Sequence, residues 1–332
     1  MLRVWSMDLR KIQRTSGGTF FVCVPKNWAE RNGLDRGSVV SISETTDGQL
    51  AINPKYGVER APRVAVIKPT PLLDREIVEK YLLGYDIIQV EAKERINPVN
   101  RERVKQASTR LVGLEIVEEN FSRIVMQCLL EPSTFPPQKI LRREYSIASG
   151  MHRDAVTALI EGDVHLAENV VARDNEVNRL FFLLVRILRT VIQNPGLSDK
   201  LGILPIDCLD YRLTASLVES IGDQSACIGE KVIKLGGAKI AENLSQLVLK
   251  FHTVAYRCHE NAINAVFSRD VSMAESVRDE GEKVAATFNE IETSVRDQPA
   301  EIGPQILAVA SSINRIYDNS LDIADLVMPE LL

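Results

Sequence analysis

Two carboxylates stand four residues apart in the run Val218-Glu219-Ser-Ile-Gly-Asp223. Read as a helix, that spacing puts Glu219 and Asp223 one turn apart on one face. Their oxygens could bridge a hard or borderline cation if a second helix supplied further oxygen donors. Asp174 and Asn178 repeat the spacing earlier in the chain. Carboxylates four apart are also common on helix faces that only solvate a protein, so the spacing alone leaves both readings open.

The elements that must position these residues come in two copies. Leu213, Leu217, Ile221, Ile228 and Val232 recur at steps of four and seven and form one apolar helical stripe. Ninety-five residues later Ile221, Asp223, Ile228 and Val232 are matched by Ile316, Asp318, Ile323 and Val327. A second, gapless alignment at a shift of 107 gives nine identities in 26 positions between residues 152–177 and 259–284, His152 with His259 and Asp163 with Asp270 among them. The loop 194–205 absorbs the difference between the shifts. Helices are expected near 138–161, 163–193, 206–235, 238–268, 270–296 and 302–329, which makes two three-helix bundles over 138–235 and 238–330. His152 and His259, matched between the copies, are expected to satisfy helix-end or interhelix hydrogen bonds ahead of any metal role.

At 332 residues the chain is long enough for two or three domains and a substantial core. No apolar run approaches the roughly 20 residues needed to cross a bilayer, and the first residues are too short an apolar stretch for a signal peptide, so a cytoplasmic protein without membrane insertion is expected. The five cysteines, Cys23, Cys128, Cys208, Cys227 and Cys258, are odd in number and never spaced as CxxC. They read as buried apolar thiols, which sets aside a disulfide scaffold and a zinc module. The net charge of −5 conceals an asymmetry: residues 1–36 hold seven Lys or Arg against three Asp or Glu, leaving about −9 for the rest. A small basic head on an acidic body suits a protein that meets nucleic acid with one end only.

The head, residues 1–55, begins with a polar strand carrying Arg10, Lys11 and Arg14, turns at Gly17-Gly18, and continues as an apolar strand from Thr19 to Val24. Pro25 opens a short helix, Lys26 to Asn32, that Gly33 can close in a left-handed cap. Strands over 38–42 and 49–52 follow, joined by a turn at Asp47-Gly48. About fifty residues of this kind hold too little core for a monomer, so dimerisation is expected. Residues 62–131 alternate strands and helices and read as a small α/β connector without a phosphate loop or a His or Cys cluster.

The head resembles the swapped-hairpin DNA-binding domain of the AbrB, MazE and SpoVT family, through the basic strand, Gly17-Gly-Thr19, Val24-Pro-Lys-Asn-Trp28, Asn32-Gly-Leu-x-x-Gly37 and the final Asp-Gly hairpin. That resemblance implies a β-barrel interleaved from two chains, with Arg10, Lys11, Arg14 and, more weakly, Lys26 toward DNA. Val218 to Glu230 and Ala167 to Asn178 resemble the two signatures of the PhoU family, regulators of phosphate uptake, over residues 138–330. By that resemblance each bundle holds a metal cluster through Glu/Asp-x-x-x-Asp pairs. The first bundle offers Asp174, Glu219 and Asp223, with Asn178 where a carboxylate is expected. In the second, Gly281, Ala285 and Asn314 stand at the matching places and leave Asp318 nearly alone. At most one site for iron, zinc or manganese is expected.

The whole chain therefore resembles an archaeal-type phosphate uptake regulator. The expected fold is multidomain: a swapped-hairpin β-barrel head, an α/β connector and an all-α pair of three-helix bundles. The expected function is DNA binding by the head under control of bundles that sense phosphate status, a metal or a partner. The alternative is an adaptor that docks on a phosphate ABC transporter or signalling kinase, the head only dimerising. A di-metal hydrolase would need a base or nucleophile beside the metal, and none is visible in the helices, so no enzyme is expected.

Overall fold

In the computed structural model the described residues are 9–44, 48–54 and 61–328. The chain divides into two compact units, one ending at Ala61 and one beginning at Pro62.

The first unit is built from short pieces. β1 (Gln13–Arg14) pairs antiparallel with β2 (Phe20–Phe21). Thr15 closes the hairpin: its backbone amide donates to Thr19 O at 2.9 Å, and its hydroxyl oxygen accepts from Thr19 N at 3.1 Å. Gly18 takes the positive φ, +91°, that the turn requires. α1 (Lys26–Arg31) follows Pro25 and is closed by Gly33 at φ +66°. β3 (Ser41–Glu44) and β4 (Leu50–Asn53) form a second antiparallel pair. The apolar strand predicted over 19–24 is ladder-bonded only at Phe20 and Phe21, and the strand predicted over 38–42 begins three residues later. Asp47 lies outside the described residues. No described residue of this unit is buried, and Phe20, Val39, Ile42 and Leu50 are all exposed. A strand is fixed by what covers its apolar face, and nothing within the described unit covers these.

The second unit opens with the α/β connector. β5 (Val64–Ile67), α2 (Leu73–Leu82) and β6 (Ile87–Glu91) form a parallel crossover. α3 (Pro98–Thr109), capped by the Asn97 side chain on Asn100 N, leads to β7 (Leu114–Glu119) and β8 (Arg123–Cys128) in the sheet order β5-β6-β8-β7. Leu73, Ile77 and Tyr81 of α2 are buried on the sheet with Ile88, Val90 and Met126. This places α2 between the sheet and the helices that follow.

Those helices are α4 (Pro137–Glu161), α5 (Val164–Gln193), α6 (Pro195–Leu201) and α7 (Asp207–Leu235), then α8 (Glu242–Ser268), α9 (Val271–Arg278), α10 (Gly281–Ser294) and α11 (Gly303–Asp325). One continuous core joins both bundles. The duplication extends to local chemistry. Asp163 caps α5 by accepting from Leu166 N at 2.9 Å, and its counterpart Asp270 caps α9 by accepting from Met273 N at 3.1 Å. Ser225 and Ser320, also counterparts, each donate to the carbonyl four residues back at 2.7 Å. Two expectations need correction. The loop 194–205 contains α6, and the helix predicted over 270–296 is broken at Asp279-Glu280, just before Gly281, a residue poor at continuing a helix.

Connector and first bundle are joined by a buried arginine. Arg186 of α5 donates to Tyr81 O at 2.6 Å, lies 4.8 Å above the Tyr81 ring, and stands 3.9 Å from Asp86 Oδ1. Phe182 packs against the cores of both. The thiols are less uniform than the sequence reading holds: Cys208 and Cys258 are buried, Cys128 and Cys227 half-buried, and Cys23 exposed. Among the described residues no helix is long and apolar enough to cross a membrane.

Candidate functional site

The first bundle brings its acidic residues together. α5 contributes Asp174 and Asn178, α7 contributes Glu219 and Asp223, and α4 contributes Glu144. The two long helices approach closely because Gly222 presents no side chain to Val177: a Cβ there would lie 3.3 Å from Val177 Cγ1. That approach brings Asp223 within hydrogen-bonding reach of Asp174.

The carboxylates are not equivalent. Asp174 Oδ2 accepts from Asn178 Nδ2 at 2.8 Å, while Asp174 Oδ1 is buried and receives no donor unless Asp223 carries a proton. Asp223 is the group placed to do so. It keeps an exposed edge, yet its carboxyl is pushed up to about 7 by loss of solvent, then by the charges of Glu219 and Asp174 and by the proton it can share with Asp174. Glu219 is raised by burial and by Asp174, against Arg212. Glu144 is fully buried, both of its oxygens lack a hydrogen-bond partner, and burial followed by the charge of Glu219 pushes it well above the carboxylate range. Arg212, whose guanidinium lies 4.7 Å over the Phe181 ring, is the cation felt by both glutamates.

Among the described residues no three His, Cys, Asp or Glu side chains stand close enough together to hold one ion as they are placed. The arrangement is a set of oxygen donors from three helices that do not converge on one point. The two unpartnered oxygens of Glu144 and the one of Asp174 fit a cation, because they are acceptors already stripped of water. Asn178 fits less well, since its amide N–H₂ is turned onto Asp174. Sequence reasoning missed Glu144. Its signal was a lone carboxylate on the inward face of a helix, visible only once the 107-residue offset is carried back to Phe251.

The second bundle does not assemble this set. Asp318 accepts from Asn314 Nδ2 at 3.1 Å, and the place matched to Gly222 is Tyr317. The Tyr317 hydroxyl donates to Val277 O at 3.2 Å and stands beside Gly281, the counterpart of Asp174, where a Cβ would meet it at 3.2 Å. Tyrosine thus fills the space that carboxylates line in the first copy.

The two matched histidines meet between the bundles. His152 Nδ1 and His259 Nε2 are 3.2 Å apart, His252 Nδ1 approaches His152 Nε2 at 3.1 Å, and the Tyr145 hydroxyl reaches His259 Nδ1 at 2.9 Å. These are interhelix bonds between α4 and α8, as the sequence led us to expect. Successive contacts use opposite nitrogens of one ring, which suits a row of hydrogen bonds and not one shared ion.

In the head, Arg10, Lys11, Arg14 and Lys26 are exposed. Arg14 lies 5.4 Å from the Phe20 ring centroid, and Lys26 pairs with Glu30 at 3.6 Å.

The family model described as the PhoU domain matches residues 141–232 and 248–327, together just over half of the chain. The chain belongs to the PhoU family. The two matched segments are the two bundles. A relative from Rhizobium meliloti (strain 1021), described as a phosphate-specific transport system accessory protein PhoU homolog, is 26% identical over 189 residues, 54% of this chain and 78% of that protein. The crystal structure of PhoU from Pseudomonas aeruginosa superposes with a TM-score of 0.52 at 21% identity, covering 59% of this chain and 95% of the other. PhoU from Streptococcus pneumoniae, described as a phosphate transport system regulatory protein, gives 0.49 at 18%, covering 57% and 91%. At 21% identity the Pseudomonas structure speaks for the fold alone.

Proposed function

We propose that this chain is a phosphate-responsive regulator of phosphate uptake. Its PhoU bundles sense phosphate status through a cation, phosphate or a partner protein, and its head binds DNA as a homodimer. Family membership carries the first half, together with the description of the Rhizobium relative as an accessory of a phosphate-specific transport system. A phosphate ABC transporter or a signalling protein is accordingly the proposed protein partner. The cation is iron, zinc or manganese, on Asp174, Glu219 and Asp223 of the first bundle with Asn178 as a lesser donor, and Asp318 is the weak remnant at the matching place in the second. Carboxylate oxygens suit such borderline ions, which would add positive charge able to attract phosphate.

The second half is supported by an exposed basic segment, Arg10 to Arg14, on a unit with no buried residue among those described, which favours pairing with a second copy. Arg10, Lys11, Arg14 and Lys26 would neutralise phosphates, the arginines also offering a bidentate fork to guanine. The test is fluorescence anisotropy on DNA from upstream of the organism's phosphate-transport genes and on unrelated DNA, across a salt series. Wild type is expected to prefer the former with a steep negative salt slope that flattens in the combined Arg10→Ala, Lys11→Ala, Arg14→Ala variant. Equal, feeble binding by both proteins would discard the DNA-binding half. The same exposed apolar face then favours the second reading, an adaptor that dimerises through its head and docks on the transporter or kinase.

A further inference from the structure

Position 144 poses a problem that the duplication makes sharp. Its counterpart 107 residues on is Phe251, fully buried and edge-on to the Phe288 ring at 6.3 Å. The helix position therefore packs inward, and an apolar side chain serves it. The first bundle instead holds a carboxyl there, also fully buried, with neither oxygen partnered. Taking a polar group out of water without a hydrogen bond is unfavourable, and nothing in the packing of the repeat requires it.

The neighbouring changes run the same way. Phe288 has Phe181 as its counterpart, and over Phe181 lies Arg212, whose own counterpart is Leu307. Glu219 is matched by Asn314, Asp174 by Gly281 and Gly222 by Tyr317. At 251 and 317 the second bundle places aromatic rings where the first has a carboxyl and a glycine, and at 281 and 314 it lacks the carboxylates of the first.

We propose that Glu144 is a cation ligand, whose carboxylate enters from α4 beside Glu219 so that an ion held by Asp174, Glu219 and Asp223 draws donors from all three helices. The inference rests on the reading of the first bundle as a cation site and adds a residue outside the paired spacings that suggest that site. The ion class is a divalent cation that accepts carboxylate oxygen, for which Mn²⁺ is the probe.

The full chain, freed of metal, is titrated with Mn²⁺ by equilibrium dialysis, and its thermal unfolding is followed with and without the ion. Wild type, Glu144→Met, Glu144→Gln and Asp223→Asn are compared. Wild type should bind saturably. Asp223→Asn and both Glu144 variants should weaken binding by about tenfold or more, the loss expected even of a group that merely orients a ligand. Metal-free Glu144→Met should melt above wild type and lose the Mn²⁺-dependent rise in Tm. If Mn²⁺ binds wild type and Asp223→Asn is impaired while both Glu144 variants bind normally, Glu144 is no ligand and the cation site stands without it. A lowered Tm with unchanged Mn²⁺ affinity would likewise mark Glu144 as a purely structural residue. If wild type does not bind Mn²⁺, or Asp223→Asn binds as well as wild type, the cation reading falls and takes the role of Glu144 with it. Should Glu144→Met not fold, the isosteric Glu144→Gln decides alone.

Discussion

The two bundles share a backbone plan and differ in what their centres are made of. Both begin their second helix on an aspartate cap, both bond a serine back to its own helix at 2.7 Å, and both bury the matched isoleucines Ile221 with Ile316 and Ile228 with Ile323. In the first, Glu144, Asp174, Glu219 and Asp223 come from three helices, two of which Gly222 lets approach closely against Val177. In the second, Phe251, Gly281, Asn314 and Tyr317 occupy the matching places, and the tyrosine hydroxyl turns to a backbone carbonyl. The three-helix unit does not need its acidic centre in order to fold. The second copy is the control for the first.

Exchanging residues between the copies tests that independence. The largest effect is expected from Phe251→Glu, which places a carboxyl in a centre where Asp318 is the one carboxylate left of the matching set. It should cost at least about 4 kcal/mol, combining a large-to-small core loss with burial of a polar group. Thermal unfolding followed by circular dichroism reads it, and a Tm close to wild type would mean that the second bundle admits water to its centre.

Acidification should reveal the seam between the copies. His252 is pushed down to about 4 by burial and by Arg153, His259 to about 3 by burial and by His252, and His152 well down by burial and by both other imidazoles. Tyr145, Tyr256 and, beyond them, Glu260 also face this row. Each histidine binds fewer protons folded than unfolded between its folded value and the ordinary value of about 6.5. Its contribution is therefore complete above about pH 6.5 and is lost as pH falls toward 4 and 3, at about 1.4 kcal/mol per pH unit for each group. Asp223, Glu219 and Glu144, raised in the fold, act with the opposite sign. The difference between wild type and His152→Leu isolates the histidine part: the variant should lose stability less steeply below pH 6.5. Parallel curves would show that these rings do not couple to folding.

Smaller changes sharpen the comparison further. Metal-free Glu144→Met should gain about 1–3 kcal/mol, because it removes a buried acceptor pair without a partner. A loss of stability there would mean that the carboxyl has a structural partner after all. Tyr317→Phe should cost about 1 kcal/mol, the net value of one hydrogen bond, and chemical denaturation at matched slope would detect it. No change would make the ring alone sufficient to fill the second centre.

Much of this was legible in the residue order. The repeat, the six long helical segments, the Asp163 and Asp270 caps, the alternating connector and the pairing of Glu219 with Asp223 all follow from periodicities of three, four and seven and from local capping chemistry. The break at Asp279-Glu280 was not legible, because capping and periodicity continue through it. The short helix α6 was hidden by its Pro-Gly start, which reads as a turn. The head's strand expected over 19–24 came out shorter than its β-branched composition suggested, since the described unit supplies no surface to cover it. Glu144 was legible only through the repeat, against Phe251, because a single carboxylate has no spacing of its own to betray it.

The sequence by itself determined which residues lie on one helix face, because helix geometry converts spacing into direction whatever surrounds it. It also determined that a unit was copied and that the second copy lost its carboxylates. Tertiary structure decided which faces meet. It brought α4 to the acidic pairs of α5 and α7, set Arg186 under the connector, and laid His152 against His259. Those contacts join residues about 30 to more than 100 positions apart. Packing selects them by shape and burial, which no local pattern of residues encodes.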